Sequence, residues 1–558
     1  MITIWQASAV AADPVTPTPA SGATNDAAAQ ERSGATASAL IVPEAAPSLV
    51  ADAAQARDDN AIRALIAGGA NVKAPQADGT TALHWAARWD DLELADVLLR
   101  AGADPAAATR VGATPLFLAS QNGSRALIAR LLDAGADANA SFLAFGETPL
   151  MFAARTGSLD AVRLLLDRGA EVEATESRFG TSALMWAAEQ NQLPVVTLLL
   201  ERGADVNRRS AVRPPPPFQI SKGATPPVKM AKTPQPPGTA SAPPKPESRL
   251  SGGLSPIIFA AREGYLDLAR LLLAHGATVN AMTADLSTPL LVAVQNGHYD
   301  MARLLVERGA DVSAVNAKGW SPLYLAVKNR SSELGTLPVP PVEGTYELIE
   351  LLLARGANVN VRINSGTDTR ASFRGIWLNE AGATPFFRAS FTGDLQVMRL
   401  LLAHGADPRI PTGDGTTPLM ALAGVGYSDV GIRDYGSAEQ SLEAMRLLLD
   451  AGVPINAQNE QGLTALHGAA HKGFLPAIEL LVARGADLTI KDNGSDPTAP
   501  GQGLLALNWA EGVSVGGGQS SIYREDAVAL IERLMKEKNI SVDSARRVKG
   551  GQKRVAQR

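Results

Sequence analysis

The chain has 558 residues and a formal net charge of −5, with 46% hydrophobic and 19% charged residues. This composition is typical of a chain that folds rather than of a disordered one, and the mild acidity argues against nucleic acid as the main partner of the whole molecule. Because there is no cysteine, disulfides, thiolate nucleophiles and cysteine-based metal centres are excluded.

The first 47 residues are rich in Ala, Pro and Thr and predict an unstructured segment. A short apolar stretch from Ile2 leads to Ala9, Val10 and Ala11, a triplet of the kind found before signal-peptide cleavage sites. The basic n-region of a signal is missing, which a true start upstream of this one would explain. We expect an exported or periplasmic protein, with a cytoplasmic location as the alternative.

From residue 48 onward, two short motifs alternate along the chain. The first is a Thr or Ser, often followed by Pro, and then an apolar run; it recurs around Thr81, Thr114, Thr148, Thr181, Ser255, Thr288, Ser321, Thr384, Thr417 and Thr464. The second has the form LLxxGA, as in LLDRGAE ending at Glu171. Leu83, Leu116, Leu150 and Leu184 of the first motif follow one another by 33, 34 and 34 positions.

The residue types of these motifs predict two helices and a projecting loop, or finger, in each unit. Thr or Ser caps the first helix by accepting a backbone N–H bond, and Pro fits the first helical turn. Leu164, Leu165 and Leu166 continue the apolar packing in a second helix, which Gly169 ends in the left-handed conformation. One helix pair cannot bury its apolar side alone, so the units are expected to stack.

Together the two motifs resemble the ankyrin repeat, whose unit has about 33 residues and a T-P-L-H-x-A motif. The resemblance covers roughly residues 48–540 apart from inserts, and is closest to bacterial, exported members of that family. It implies an all-α solenoid of about twelve helix–turn–helix units with β-turn fingers and polar caps. The family's His occurs only at His84 and His467, so apolar packing is expected to replace its inter-repeat hydrogen bonds elsewhere.

The units at the two ends of the array depart from the motif and predict caps. Leu49–Val72 has two helical stretches without the first motif, and a helix from Tyr523 carries one apolar stripe on a charged remainder. Four inserts leave the two motifs intact, two of them between paired helices and two in fingers. The predicted organisation is 1–47 unstructured, 48–210 first block with its N-cap, 211–253 Pro-rich basic finger insert, 254–541 second block with its C-cap, and 542–558 basic tail.

The Pro-rich insert leaves two architectures open. It could separate two independent stacks, or it could project from one continuous stack. We favour one stack, because Leu198–Leu200 before the insert and Ile257, Ile258 and Phe259 after it read as interior repeats rather than polar caps.

A search for chemical motifs returns no catalytic set, no cofactor site and no metal site. His467 and His471 have the i, i+4 spacing of metal ligands, but no third ligand accompanies them. His275 and His404 stand at predicted helix ends, and the Gly-rich run from Gly512 lacks the Lys-Ser or Lys-Thr pair of a phosphate loop. We therefore expect a protein that is not an enzyme, with no evident small-molecule substrate.

In the family fold, fingers and first helices line a concave groove, and aromatic and basic side chains at positions that the repeat leaves free are candidate partner contacts. They are Arg88, Trp89, Phe145, Arg155, Arg178, Phe179, Arg262, Trp320, Phe391, His471 and Lys472, with Arg370, Phe373, Arg374 and Trp377 in a finger insert. The resulting prediction is a monomeric scaffold that binds a protein or extended peptide. Two alternatives remain: binding of anionic lipid or nucleic acid through the insert and basic tail, and an enzyme site built on the inserts.

Overall fold

The structure, a computed structural model, describes residues 48–142, 144–214, 251–330, 342–364, 378–426, 437–494, 503–512 and 523–542. All of them belong to one compact unit, Pro47–Arg558. The predicted unstructured N-terminus, nearly all of the Pro-rich insert and nearly all of the basic tail lie outside these residues. None of the described helices is long and apolar enough to cross a bilayer.

The described residues form twelve consecutive helix pairs, which confirms the predicted all-α repeat solenoid. Five pairs precede the Pro-rich insert: α1 (Leu49–Gln55) and α2 (Asp59–Ala67), α3 (Ala82–Trp89) and α4 (Leu92–Arg100), α5 (Pro115–Asn122) and α6 (Arg125–Asp133), α7 (Pro149–Thr156) and α8 (Leu159–Asp167), and α9 (Ala183–Glu189) and α10 (Leu193–Glu201). Seven pairs follow: α11 (Pro256–Glu263) and α12 (Leu266–Ala274), α13 (Pro289–Gln295) and α14 (Tyr299–Glu307), α15 (Pro322–Asn329) and α16 (Thr345–Ala354), α17 (Pro385–Phe391) and α18 (Leu395–Ala403), α19 (Pro418–Ala423) and α20 (Ala438–Asp450), α21 (Ala465–Lys472) and α22 (Leu475–Ala483), and α23 (Ala506–Ala510) and α24 (Glu525–Glu537).

The first helix of a typical pair begins as the motif predicts. The side chain of Thr148 accepts a hydrogen bond from the Met151 backbone N–H at 3.4 Å, and Pro149 occupies the first turn of α7. Thr384 does the same for the N–H of Phe387 at 3.1 Å. These caps satisfy N–H groups that have no partner inside the helix.

The second helix ends at a glycine with a positive φ angle. Gly169 has φ +87°, and the N–H groups of Gly169 and Ala170 donate to the carbonyls of Leu166 and Leu165. This pair of bonds is the Schellman arrangement, which satisfies the last carbonyls of α8. A side chain at Gly169 would meet no atom within 4 Å, so the backbone angle alone selects glycine here.

Small and apolar residues allow the pairs to stack. First helices pack against their neighbours in sequence, for example α5 against α3 and α7, and second helices form a second layer in the same order. Ala86 and Ala153 are fully buried where the first helices approach, and Leu98 and Leu131 are fully buried in the second layer. The first helices pack against one another more extensively than the second helices do.

The stack continues across the Pro-rich insert. Helix α9 packs directly against α11, and the Asn207 side chain joins the two sides: it donates to the Gly276 carbonyl at 3.0 Å and accepts from the Thr278 N–H at 2.7 Å. Arg213 and Ser251, at the two ends of the insert, exchange two backbone hydrogen bonds of 2.9 Å. The chain therefore leaves and rejoins the stack at one finger, and the units on both sides are neighbours.

The two motif histidines make the hydrogen bonds that link one repeat to the next. Nδ1 of His84 lies 2.8 Å from the Thr81 hydroxyl, and its Nε2 lies 2.9 Å from the Ala113 carbonyl of the next finger. His467 bridges in the same way to the carbonyl of Leu504 at 3.1 Å. In a repeat without the histidine, Met151 is fully buried at the same position, so apolar packing takes its place there.

Candidate functional site

The name finger face is used below for the fingers together with the C-terminal ends of the first helices. Neighbouring fingers are joined by backbone hydrogen bonds: the N–H of Ser177 donates to the Phe145 carbonyl, and that of Ala211 to the Phe179 carbonyl, both at 2.7 Å. Equivalent bonds continue beyond the insert and into the last described finger, from Ala284 to Gly252, Ala317 to Asp285, Glu460 to Asp414 and Asn493 to Gln461. Side chains on successive fingers are therefore held in register.

A buried acidic side chain fixes the turn of the fourth finger. The carboxylate of Glu176, only 2% exposed, accepts hydrogen bonds from the N–H groups of Arg178, Phe179 and Thr181 at 2.6–2.9 Å. The Thr181 hydroxyl in turn accepts from the Trp186 indole N–H at 2.9 Å. These bonds hold the turn that presents Arg178 and Phe179, and they satisfy a carboxylate whose burial would otherwise be costly.

On that finger, the guanidinium of Arg178 lies close to two aromatic rings. Its guanidinium carbon is 5.0 Å from the ring centre of Phe145 on the preceding finger and 4.9 Å from that of Phe179. Arg178 is exposed, Phe145 is 37% exposed and Phe179 is half-buried. Sequence reasoning selected these three residues singly, and the structure brings them together.

A second cluster lies on α3, near the N-terminal end of the stack. The Trp85 and Trp89 rings stack with centroids 5.9 Å apart, and the Arg57 guanidinium carbon lies 4.0 Å from the Trp89 ring centre. The Trp85 indole N–H donates to Gln76 at 2.9 Å. Trp89 stays 37% exposed, and Arg88 beside it is exposed as well, so this cluster offers apolar area and positive charge together.

Two further predicted arginines, Arg155 and Arg262, have closer contacts with other residues of the chain. Arg155 is half-buried, with its guanidinium carbon 5.8 Å from the Trp186 ring centre. Arg262 forms an ion pair with Glu189 at 3.2 Å and lies 5.1 Å from the Phe259 ring centre. Arg262 therefore already has a carboxylate partner within the chain.

Trp320 and Phe391 are corrections to the sequence prediction, because both side chains are buried. Trp320 is 4% exposed, with the ammonium groups of Lys318 and Lys328 at 4.5 and 4.8 Å from its ring centre. Phe391 is 7% exposed at the end of α17, a helix whose residues are all buried. In both cases the side chain packs against other residues of the chain, so it is not accessible to a partner.

At the C-terminal end of the stack, His471 and Lys472 are half-buried. The His471 ring meets the Trp509 ring edge-on at 5.4 Å, and Lys472 lies 5.7 Å from the Phe474 ring centre. Within the described ranges, no three His, Asp or Glu side chains come together as a metal site would need. The insert candidates lie outside the described residues: Arg370, Phe373, Arg374 and Trp377.

Sequence reasoning missed the residue two places after the motif leucine. Trp85, Phe152, Trp186 and Phe259 occupy this position on successive or nearby first helices, and the Phe152 and Trp186 rings meet edge-on at 5.2 Å. The recurrence of large aromatic residues at one register position was the available signal. A second missed signal is the run Arg110–Gly112, which repeats the Arg–apolar–Gly pattern of the fourth finger.

Two buried ion pairs lie in the middle of the stack, each with one residue close to an insert. Arg330 contacts Asp394 at 2.6 Å, with side chains 8% and 4% exposed. Arg388 contacts Glu380 with side chains 2% and 5% exposed. Removing one partner of such a pair leaves a buried charge and costs about 3–5 kcal/mol, so we assign both pairs to the architecture rather than to a ligand site.

The groups with displaced pKa values are scattered rather than gathered. Burial lowers the pKa of His84 and of His467, and it raises the pKa of the Glu147 carboxyl. Burial also raises the pKa of Tyr299 to about 12. These groups lie in four different repeats, so the described residues do not assemble them into an acid–base site.

Family comparisons agree with this architecture. A family model described as "Ankyrin repeats (3 copies)" matches residues 50–142, 116–210 and 257–363. A model described as "Ankyrin repeats (many copies)" matches residues 434–482, and one described as "Ankyrin repeat" matches residues 381–413. The matches lie on both sides of the Pro-rich insert.

Curated relatives match short parts of the chain. It is 43% identical over 68 residues to an ankyrin repeat and LEM domain-containing protein 1 homolog of Caenorhabditis elegans, which is 12% of this chain and 10% of that protein. It is 47% identical over 75 residues to the nuclear factor NF-kappa-B p105 subunit of Mus musculus, which is 13% of this chain and 8% of that protein. The chain thus spans about a tenth or less of either relative. Both are eukaryotic, and the predicted resemblance to bacterial exported proteins stays a prediction.

Proposed function

Because this chain belongs to the ankyrin-repeat family, whose members generally mediate protein–protein interaction, we propose that it is a non-enzymatic scaffold. Its partner is a protein or an extended peptide, bound along the concave groove that the finger face provides. The observation that carries the proposal is the set of exposed aromatic and Arg side chains on that face, led by Trp89 and by the cluster of Phe145 and Arg178. Aromatic and Arg residues dominate the binding energy of protein interfaces.

The arrangement of the two helix layers supports the choice of face. The first helices pack against one another more extensively than the second helices do, so the stack is expected to curve toward the first helices. On the opposite layer, several arginines already pair with an acid of the neighbouring repeat, as Arg168 does with Asp133 and Arg202 with Asp167. Arginines in such surface pairs are less available to a partner protein, because each already interacts with a carboxylate of the chain.

The length of the array favours a macromolecule over a metabolite. A regular edge of fingers extends along the stack, and side chains recur on it at one-repeat intervals. An extended peptide or a protein surface can engage several such positions at once, whereas small ligands need one enclosed pocket. The dispersed pKa shifts described above support the same choice, because an active site would bring such groups together.

A site-specific crosslinking experiment tests this proposal. The chain has no cysteine, so a single introduced cysteine carries a benzophenone maleimide to one place. Gln121→Cys and Thr156→Cys place the probe at exposed ends of α5 and α7 on the finger face, and Arg163→Cys and Glu201→Cys place it on exposed second-helix positions.

In extracts of the cells that make the protein, we expect crosslinks to one protein from the two finger-face probes and not from the two second-helix probes. Crosslinks from the second helices alone, or equal crosslinking from all four positions, would contradict the assignment of the face.

A further inference from the structure

The fingers of the N-terminal half carry a feature that the general scaffold function does not explain. Three exposed arginines lie on the second, fourth and fifth fingers: Arg110, Arg178 and Arg213. Within the described residues, none of the three has a carboxylate within ion-pair distance, whereas arginines of the second helices such as Arg168 and Arg484 do. These finger charges are therefore available to an external anion.

Apolar side chains alternate with these charges. Val111 follows Arg110 in the chain and is 69% exposed, and Val212 precedes Arg213 and is 50% exposed. The ring centres of Phe145 and Phe179 lie 5.0 and 4.9 Å from the guanidinium carbon of Arg178. We call the six residues Arg110, Val111, Phe145, Arg178, Phe179 and Arg213 the basic finger edge. Exposed apolar groups next to cations are typical of a contact surface.

The edge is preorganised by bonds between and within the fingers. The Arg213 guanidinium donates to the Ser177 carbonyl, which fixes it beside the fourth finger. The Glu176 carboxylate holds the turn that presents Arg178. A surface whose arginines are already oriented loses less entropy when a ligand binds.

Two of the acids nearest the edge, Glu147 and Glu176, are half-buried or buried. Glu176 is buried, and its carboxylate accepts hydrogen bonds from the N–H groups of its own turn. Glu147 is half-buried, and burial raises the pKa of its carboxyl. Asp78, on the first finger, is the exposed acid at the N-terminal side of the edge. The six residues of the edge itself carry three positive charges and no acid.

The charge becomes mixed farther along the finger face, where Lys318 and Lys491 lie among acids. After the Pro-rich insert, fingers present Asp285, Asp414 and Glu460. A polyanion such as single-stranded nucleic acid that tracked the whole face would meet these acids, and the chain as a whole carries a net charge of −5. The distribution favours a short ligand with a few carboxylates and some apolar side chains, because such a ligand can match the N-terminal half alone.

We propose that the basic finger edge binds an extended acidic segment of a partner protein, in which Asp or Glu side chains alternate with apolar ones. The carboxylates pair with Arg110, Arg178 and Arg213, and the apolar side chains lie against Val111, Phe145 and Phe179. This proposal rests on the scaffold function. It adds the chemistry of the partner and states that the N-terminal half of the array binds it.

The probes are peptides selected from a phage-displayed library of random dodecapeptides on the full-length protein. The expected result is a set of selected peptides enriched in Asp and Glu with interspersed apolar residues. For the strongest peptide, labelled with fluorescein, anisotropy should show affinity about 30-fold weaker or more for the triple variant Arg110→Glu, Arg178→Glu, Arg213→Glu. Raising NaCl from about 50 to 500 mM should weaken binding about tenfold, because the charges are exposed.

The matched control is Arg63→Glu, Arg125→Glu, Arg163→Glu, which changes the net charge by the same amount at three exposed positions on second helices. We expect this control to bind within about twofold of the original protein if the position of the charges, and not the net charge, decides affinity. Circular dichroism of both triple variants checks that the helices are retained. Arg178→Lys keeps the charge but loses the planar guanidinium that lies close to two rings, so it should weaken binding about three- to tenfold.

Several outcomes would overturn the proposal. They are selected peptides without an excess of Asp and Glu, equal losses in the two triple variants, or a fluorescein-labelled oligothymidylate that binds the edge more tightly than any selected peptide. A non-acidic peptide that still crosslinks to Thr156→Cys would refute the proposal of an acidic partner but not the proposed scaffold function. Selected peptides that crosslink only to the second-helix probes would refute both proposals.

Discussion

The Asn207 bridge gives the sharpest test of one continuous stack. Asn207→Ala removes the side-chain hydrogen bonds to the Gly276 carbonyl and from the Thr278 N–H, which join the units on the two sides of the Pro-rich insert. Each bond contributes about 0.5–1.5 kcal/mol net, and both are solvent-exposed, so the expected loss is about 1–2 kcal/mol in the free energy of unfolding.

Asn139→Ala is the matched control inside the first block. Asn139 makes the same pair of bonds, donating to the Gly169 carbonyl at 2.8 Å and accepting from the Glu171 N–H at 2.7 Å. The assay is urea unfolding of the full-length protein followed by tryptophan fluorescence and by circular dichroism. For slopes of about 1–3 kcal/mol per molar urea, the loss moves a midpoint by several tenths of a molar or more.

Continuity predicts that the two variants lose similar stability, and that the Thr278 N–H exchanges faster with deuterium in Asn207→Ala. If Asn207→Ala left every midpoint in place while Asn139→Ala lowered one, the units flanking the insert would be uncoupled, and the argument from neighbouring repeats would be refuted.

Three other predictions concern single elements. Replacing residues 215–250 with two glycines should raise the free energy of unfolding by about 2 kcal/mol, because each halving of a closed loop reduces the entropic cost of closing it. Unchanged or lower stability in urea would contradict this. Gly169→Ala should cost about 1–2 kcal/mol because φ is positive there, whereas Gly68→Ala, at a negative φ, should cost nothing, and equal losses in thermal melts would refute the backbone argument. Burial lowers the pKa of His467, so below about pH 6.5 the unfolded chain binds the proton more readily than the folded one, and the free energy of unfolding decreases as the pH decreases. His467→Asn, which places at this position the residue type of Asn508 at the same register, should lose less stability between pH 7.5 and 5.5. An identical loss in the two proteins would show that His467 does not cause it.

The helix pairs and their ends could be predicted from sequence because local chemistry determines them. A capping Thr148, a Pro149 in the first turn and a Gly169 at the helix end act within a few residues of their own position. Repetition then multiplies the signal, since the same motif recurs in almost every unit. The location of the inserts followed from the same spacing, because an insert lengthens a unit without erasing its motifs.

The burial of individual free positions could not be predicted, because it depends on residues one or more repeats away. Trp320 looks like an exposed anchor in the repeat pattern, yet its ring lies near Lys318 and Lys328 and is 4% exposed. The pair of Arg330 and Asp394 joins residues that are 64 positions apart. No local pattern indicates such contacts, since they arise only after the units have stacked.

The candidate surface was predicted in part for the same reason. Arg178 and Phe179 stood out singly, but their cluster with Phe145 needs the bonds between fingers that bring neighbouring turns together. The Asn207 bridge could not be predicted, because its partners Gly276 and Thr278 lie 69 and 71 positions away, beyond the Pro-rich insert. The predicted export of the protein is a separate matter, since the residues that carry it lie outside those described.

Hydrogen–deuterium exchange of the full-length protein, with and without a bound peptide selected from the library, measures most directly where recognition takes place. We predict slower exchange in the fingers around Phe145 and Arg178 and at the end of α7, with unchanged exchange in α8 and α10. Protection confined to the second helices, with the fingers unaffected, would contradict recognition through the finger face.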